Sequence, residues 1–521
     1  MPVTTEALFA RYGESYRWLV MAMAMSCAIA AVLSVTIVNV AIPGIMGAFG
    51  MDQVQAQWLS AGYLAAMTST MLLLDYTIKA FGQRATMMFA LVMFLFGALL
   101  GGFATSSEMM ISARFIQGAA GGIMQPMGMV AVYQVFPPER RGTAMGIYGL
   151  GVVMAPAVGP FCGGLIVDAL DWRYVFFIGV PLAGFSMLLT GLFMPTGKSA
   201  GRPCFDWLGF AALIAFLACT LTAFADGPRA GWSDESVVLR FVGAGALFVG
   251  FVWWESRTAV PLLDLSLYRR PAFAGATFVS LILGAGLFGS TYLIPLFVQT
   301  VQDLTPTLSG ALLLPAGISM VLLVPFAGCL ADRYDPGVMV TGGLVMFVIS
   351  FWLFSFADVR TDLPTLAAWI MISRIGMAFI FPALNAGSVR MLPPHLLAQG
   401  AASMNFMRQL GGAFGVNLLA VLLQQETERF AAPLFAAQTP DNDATQAYLS
   451  HAAELAGSAG LSDLAAQSLA AQHLAQTLSS QASSLAFGVT FEVSAAALAL
   501  SILGGLLMIG ERKRALRVVY A

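Results

Sequence analysis

Apolar residues in this chain come in long unbroken runs, not in the 3.6-residue stripe of a helix lying on a soluble core. A bilayer hydrocarbon layer about 30 Å thick needs roughly 20 consecutive apolar residues to cross it as a helix. Fourteen runs approach or exceed that length: 18–42, 57–78, 86–105, 108–135, 143–167, 174–194, 207–225, 237–255, 272–299, 308–330, 338–357, 366–390, 400–423 and 487–509. The pattern predicts an all-α integral membrane protein with fourteen transmembrane helices. An even number places both termini on one side. Met1 to Arg17 is polar, and the run after it is too long for the core of a cleavable signal, so that run is expected to stay as the first span.

Composition agrees with this. The 521 residues are 59% hydrophobic and 10% charged, whereas soluble domains are about 25% charged. If both termini are cytoplasmic, 17 of the 25 basic residues fall on the inner side. Only Arg173, Arg229, Arg240, Arg360 and Arg429 fall outside, and Arg114, Arg374 and Arg408 lie within spans. That bias predicts cytoplasmic termini. The net charge of −2 gives no reason to expect a nucleic-acid partner. The three His residues are far apart, and the five Cys residues have neither zinc nor redox spacing, so no metal, cofactor or disulfide is expected. With no Gly-x-Ser-x-Gly element and no metal cluster, an enzyme is not expected.

Two halves echo each other. Arg114 precedes Pro126 in the fourth run, and Pro137-Pro138 follows 11 residues later; Arg374 precedes Pro382 in the twelfth, and Pro393-Pro394 follows at the same interval. Phe81-Gly82-Gln83-Arg84 ends the second run and Leu330-Ala331-Asp332-Arg333 the tenth. Same-direction repeats suggest two six-helix bundles related by an axis normal to the membrane. The expected units are 1–194, a pair of inserted helices with linkers at 195–270, and 271–521.

The fifth run contains GLGVVMAPAVGPFCGG, Gly149 to Gly164, with five glycines and two prolines. Small residues at four-residue spacing let membrane helices approach closely, and neighbouring helices re-satisfy backbone groups that Pro frees. Gly159-Pro160-Phe161-Cys162-Gly163-Gly164 resembles the antiporter motif of major facilitator superfamily exporters. Further stretches carry the resemblance: Thr36 to Pro43 (TIVNVAIP), Arg114-Phe115-Ile116-Gln117-Gly118, Pro137 to Gly142 (PPERRG), Trp172-Arg173 with Phe176-Phe177, and Asn405 to Gly412 (NFMRQLGG). Six plus two plus six helices is the plan of that superfamily's fourteen-helix drug:proton antiporter branch, and the chain is most similar to the EmrB/QacA type.

The resemblance implies efflux of hydrophobic or amphipathic drugs or toxic compounds across the inner membrane, by alternating access and in exchange for protons. The alternative is a uniporter or a dedicated metabolite exporter. Arg114 and Gln117 match the element implicated in proton transfer, though Arg114 could equally hydrogen-bond carbonyls of a neighbouring helix. The family's usual Asp in helix 1 is here Ser34, which cannot carry a proton near neutral pH. Glu492 and Asp75 are the candidate replacements, although Glu492 could be an interfacial acid. Asp75 is spaced to pair with Lys79 one helical turn on. Asp206, Asp226 and Asp332 fall at helix ends, where solvated or loop-shaping roles are expected.

Lys79, Arg84, Pro156, Gly159, Pro160, Gly163, Gly164, Asp332 and Arg333 are the gating and conformational candidates. The family fold implies a central cavity near Thr36, Asn39, Gln125, Asn405 and Arg408. Met residues, 29 in all, suit an adaptable apolar site, although most should simply pack. The expected partners are a lipophilic small molecule, protons and membrane lipid. The stretch 424–486, rich in Ala, Gln and Ser, has six acids against one base. It reads either as a solvated helical hairpin or as a docking surface for the periplasmic adaptor of a tripartite pump. Ser462-Asp463 should cap a helix within it.

Overall fold

The computed structural model describes residues 5–137, 140–196, 204–389, 392, 396–439, 441–459 and 461–509. The described residues form α-helices with two short 3-10 turns and no strand. In chain order the helices are α1 Thr5–Tyr12, α2 Ser15–Phe49, α3 Gln53–Ala56, α4 Trp58–Met71, α5 Leu74–Phe81, α6 Gln83–Gly102, α7 Ser107–Val135, α8 Arg141–Ala169 and α9 Gly179–Phe193. They continue as α10 Trp207–Ala230, α11 Glu235–Glu255, α12 Pro271–Thr300, α13 Pro306–Arg333, α14 Pro336–Phe354, α15 Leu363–Val389, α16 Leu397–Ala436, α17 Asp443–Ser458 and α18 Asp463–Leu507. Twelve are long and apolar enough to cross a membrane.

The other two predicted runs also lie in helix. The second is divided between α4 and α5, where Leu73 N–H bonds three residues back to Thr70 at 3.0 Å. That is a tightened turn, and Leu72 and Leu73 keep right-handed helical angles, so the rod continues in direction. The fourth run is α7, which carries Glu108, Arg114, Gln117 and Gln125 and is less apolar than the twelve.

Short polar residues set the helix starts. Asp52, Ser106 and Thr305 accept from backbone N–H groups of the first turn of α3, α7 and α13. Pro271, Pro306 and Pro336 open α12, α13 and α14, where a missing N–H costs nothing. Pro43, expected near the end of the first span, lies inside α2; that helix stops seven residues later at Gly50, φ 63°. At Gly50 the backbone is left-handed, where Gly is favoured.

α2 packs on α7, α8 and α9, α4 on α7, and α6 on α7 and α9. In the second half α12 packs on α16 and α18, α13 on α15, and α14 on α15 and α18. Between them, α8 crosses onto α13 and α4 onto α16. α10 and α11 form an antiparallel pair that leans on α16, where Asn417 donates to Leu221 O at 3.3 Å. We call the end of the molecule holding Tyr16, Val135 and Phe193 the proximal end, since Tyr16 bonds Phe193 O and Arg17 bonds Val135 O. The opposite end, around Phe49, Leu170 and Thr300, is the distal end.

The stretch 424–486 continues helices already begun. α16 runs on to Ala436, and α18 starts at Asp463. Ser462 occupies the N-cap position of α18, as expected, but its side chain makes no capping bond. α17 lies along α18, with Tyr448 Oη 2.5 Å from His473 Nδ1. Ala, Gln and Leu are good helix formers, so helix persists after the apolar run stops.

Candidate transport site

Arg114 lies in the interior of the first bundle and is 1% exposed. Glycine on α7 brings the neighbouring backbone close. A Cβ on Gly118 would overlap the carbonyl of Tyr63, and one on Gly122 that of Met67. α4 therefore sits close against α7, and the guanidinium reaches it. Arg114 Nε donates to Leu59 O at 2.7 Å, and Nη1 donates to Ser34 Oγ and Gln117 Oε1, both at 3.1 Å. The Tyr63 ring lies 4.4 Å from the guanidinium carbon. Arg114 Nη2 and Gln117 Nε2 are buried with no acceptor. Position 34 thus touches Arg114 directly, and the charge is held by neutral acceptors and a ring face.

The second bundle repeats this arrangement. Arg374 on α15 is buried and donates through Nη2 to Ser290 Oγ of α12 at 3.2 Å, and through Nη1 to Met377 Sδ. The first-half Arg–Ser contact joins α7 to α2, and the second-half contact joins the matching helices. Ser290 was not anticipated; the roughly 250-residue offset of the repeat, applied to Ser34, is the signal that leads to it.

A seam joins the bundles at the distal end. Asn39 Nδ2 donates to Thr291 O at 2.9 Å while its Oδ1 accepts from Ser60 at 2.6 Å. Gln299 donates to Val40 O at 3.1 Å and Gln53 to Tyr292 Oη at 2.7 Å. Gln424 accepts from Val54 N–H at 3.2 Å, and Asp168 of α8 accepts from Thr307 N–H, at the start of α13, at 2.8 Å. A carboxylate at a helix N-terminus is favoured by the helix dipole. Toward the proximal side, Asn405 Nδ2 lies 3.9 Å from Met71 Sδ.

The Gly/Pro stretch of α8 divides between two neighbours. Cβ atoms on Gly159 and Gly163 would lie 2.7 Å from Thr36 Oγ1 and from the Ile37 side chain of α2. Gly164 faces the Pro306 carbonyl of α13, and Gly310 faces the Pro160 carbonyl. Pro156 lies inside the same helix, partly buried.

The remaining candidates are scattered. Asp75 and Lys79 pair at 2.5 Å on the exposed face of α5. Arg84 bonds Gly191 O. Glu492 is exposed on α18. Gln125 is buried with its carboxamide oxygen unpaired, and its backbone carbonyl accepts from Tyr148. Arg408 bonds Asn405 and faces the Phe381 ring at 5.3 Å. Thr36 caps back onto its own helix, Asn39 is committed to the seam, and neither joins Asn405 and Arg408. Arg333 is exposed, and the Asp332 side chain lies outside the described residues. Asp226 pairs with Arg240. Asp206, expected to be solvated or to shape a loop, is 8% exposed; it accepts from Gly209 N–H at the start of α10 and from Trp254 Nε1.

The Major Facilitator Superfamily model matches residues 24–416. The chain belongs to the major facilitator superfamily. It is 30% identical over 430 residues to a multidrug resistance protein B homolog of Mycobacterium tuberculosis, covering 80% of this chain and 79% of that one. It is also 30% identical over 399 residues to the multidrug export protein EmrB of Haemophilus influenzae, covering 74% and 76%. The crystal structure of the nucleoside transporter NupG shares the fold, with a TM-score of 0.60 at 11% identity over 95% of this chain and 100% of that one. The protein is therefore a multi-pass membrane transporter of this superfamily and not an enzyme.

Proposed function

We propose that this transporter exports hydrophobic or amphipathic small molecules across the inner membrane by alternating access, in exchange for protons. It crosses the membrane fourteen times, with the proximal end and both termini cytoplasmic. The observation that carries the reading is the distal seam. Paired Gly–carbonyl contacts and a set of single hydrogen bonds close one end of the interface between two repeated bundles. Such contacts are individually weak, about 1 kcal/mol each net, so they can break together and re-form in a cycle. Arg114 with Gln117 serves the proton step. Glu492 and Asp75 are the acids that load it. Asn405, Arg408, Gln125, Thr36 and Asn39 border the substrate path. Lys79, Arg84, Asp332 and Arg333 act at the proximal gate. The α17–α18 hairpin is the surface for a periplasmic adaptor in a tripartite pump.

The direct test uses everted membrane vesicles with a fluorescent pH reporter and a panel of lipophilic cations, uncouplers and aromatic acids. Substrate-triggered collapse of the proton gradient is expected. Labelled substrate that moves without regard to the gradient would refute antiport. In the same assay, Glu492→Gln combined with Asp75→Gln is expected to abolish gradient-driven export, and retained export would remove both acids as carriers.

One observation favours a second reading, a facilitator or a dedicated metabolite exporter. Ser34, a side chain that cannot titrate near pH 7, stands against Arg114. Ser34→Asp discriminates the two, because it gives Arg114 a carboxylate partner that can bind and release a proton. On a facilitator the substitution is expected to make substrate flux follow the pH gradient. On an antiporter it changes the pH dependence of a flux that already does. Gradient-blind flux in both proteins would mean that position 34 takes no part in coupling.

A further inference from the structure

Arg114 is a buried cation with no acid to balance it. α2, α4, α6 and α9 contain no Asp or Glu, and neither does α12 across the seam. The one acid of α7 is Glu108, exposed in its first turn, and the one acid of α8 is Asp168, which accepts from Thr307 N–H. Asp52, before α3, is paired with Arg229, and Asp75, in α5, with Lys79. The lack is a property of the sequence, so no rearrangement of side chains among these helices supplies a counter-charge at that depth. An uncompensated charge in a dry interior is strongly unfavourable.

Hydrogen bonding is incomplete at the same place. Arg114 Nε and Nη1 are occupied by Leu59 O, Ser34 Oγ and Gln117 Oε1, but Nη2 is buried with no acceptor. Gln117 gives its oxygen to Arg114, and its Nε2 is likewise buried with no acceptor. The two side chains stand about one turn apart on α7, and the Nη1–Oε1 bond holds their orphan donors in one neighbourhood. The Tyr63 ring, 4.4 Å from the guanidinium carbon, eases the charge without satisfying Nη2. Buried donors are ordinarily paired, and two orphans on one cationic cluster call for a ligand.

We propose that Arg114 Nη2 and Gln117 Nε2 hold a small monovalent anion, a halide or the carboxylate of a bound molecule, which the chain does not itself supply. One negative charge balances one guanidinium. A dianion such as sulfate would bring a surplus charge into a site with a single cation. Two N–H donors suit either form, since a halide accepts from several donors and a carboxylate offers an oxygen to each. Ser34 keeps 8% of its surface exposed against 1% for Arg114 and Gln117, so the approach to these donors runs past its hydroxyl. The site lies at the residue given the proton step above, but it is read by binding alone, so antiport can fail while the anion site stands, and the reverse.

The test uses the full chain in nanodiscs, exchanged into a Hepes buffer free of halide and carboxylate. Thermal unfolding is followed as sodium chloride or sodium benzoate is added, with sodium sulfate at equal ionic strength as the control. A ligand that binds only the folded chain raises the midpoint once its concentration passes the Kd. A rise with chloride above the sulfate control identifies a free anion as the occupant, and a rise with benzoate alone identifies the carboxylate of a larger molecule. Ser34→Asp sets a carboxylate against Arg114 from within the chain, and Gln117→Glu puts one where the orphan amide stood, with no change of volume. Both variants are expected to lose the anion-dependent rise. A wild type that responds to neither anion beyond sulfate overturns the site, as does a rise that survives undiminished in both variants. Should Ser34→Asp fail to fold, the isosteric Gln117→Glu decides alone.

Discussion

Replacing Arg114 by alanine should abolish gradient-driven export while leaving the protein folded and in the membrane. The reasoning is a comparison of magnitudes. Holding a charge at that depth costs about 2.5–3.5 kcal/mol on insertion scales. Each hydrogen bond from a charged donor returns about 1.5–3 kcal/mol, and Arg114 makes three. Removing the side chain forfeits the bonds and the penalty together, so the net change in stability is small. What disappears is a permanent positive charge in contact with α2, α4 and α7 at once. Arg114→Lys should fail nearly as fully, because a single ammonium cannot span Leu59 O, Ser34 and Gln117 as the planar fork does. The check is the pH-reporter vesicle assay at matched protein levels. If Arg114→Ala vesicles collapse the gradient on substrate addition as the wild type does, Arg114 is only a packing residue.

The second large effect concerns the seam. Gly164→Val should open the distal end and reduce transport about fivefold or more, and Gly310→Val should do the same. Each Cβ would overlap a carbonyl on the partner helix, at Pro306 and at Pro160, and backbone cannot swing aside as a flexible side chain can. Overpacking of this kind costs about 1–3 kcal/mol. Charged only to the closed-distal state, it shifts the balance between two arrangements by roughly five- to a hundredfold, since 1.4 kcal/mol is a factor of ten. A cysteine at Ser309, fully buried in the seam, reads the outcome. In a background without the five native cysteines, it should react markedly faster with an impermeant thiol reagent when Gly164 or Gly310 is enlarged. Gly243→Ala is the control, having open space around it. A Gly164→Val protein that transports normally and keeps Ser309→Cys protected would show that the seam does not open in the cycle.

The helices were legible because hydrocarbon length and apolar run length are one measurement, and each predicted run lies mostly in helix, the second split between α4 and α5 and the sixth opening in a 3-10 turn before α9. Boundaries were less legible. α2 passes through Pro43 and α16 runs on to Ala436, because hydropathy reports where water begins and helix hydrogen bonding does not stop there. Arg114 and Gln117 could be paired by eye at i, i+3. The Leu59 carbonyl and the Tyr63 ring could not, since which face of α4 meets α7 is decided by Gly118 and Gly122. The pairs Ala155-Pro156, Gly159-Pro160 and Gly163-Gly164, at four-residue spacing, read as roughly one face, yet Gly159 and Gly163 serve α2 while Gly164 serves α13. Asp206 and Glu255 were hidden for a different reason. They are 49 positions apart in the sequence, at the start of α10 and the end of α11, and the antiparallel packing of that pair sets both beside Gly209.

α16 and α18 are unbroken from the second bundle through to the distal hairpin. Residues 463–486 of α18 extend about 36 Å past the apolar run at 1.5 Å per residue. A helix of that length, braced by α17, acts as a lever whose fulcrum is the bundle itself. Were the second bundle to tilt by about 15°, the size of rotation seen in known subunit switches, the tip would travel roughly 9 Å. A displacement too small to notice between packed helices becomes a stroke as wide as a helix. Anything gripping that tip would feel each turn of the cycle as mechanical work, with no signal passing through the substrate.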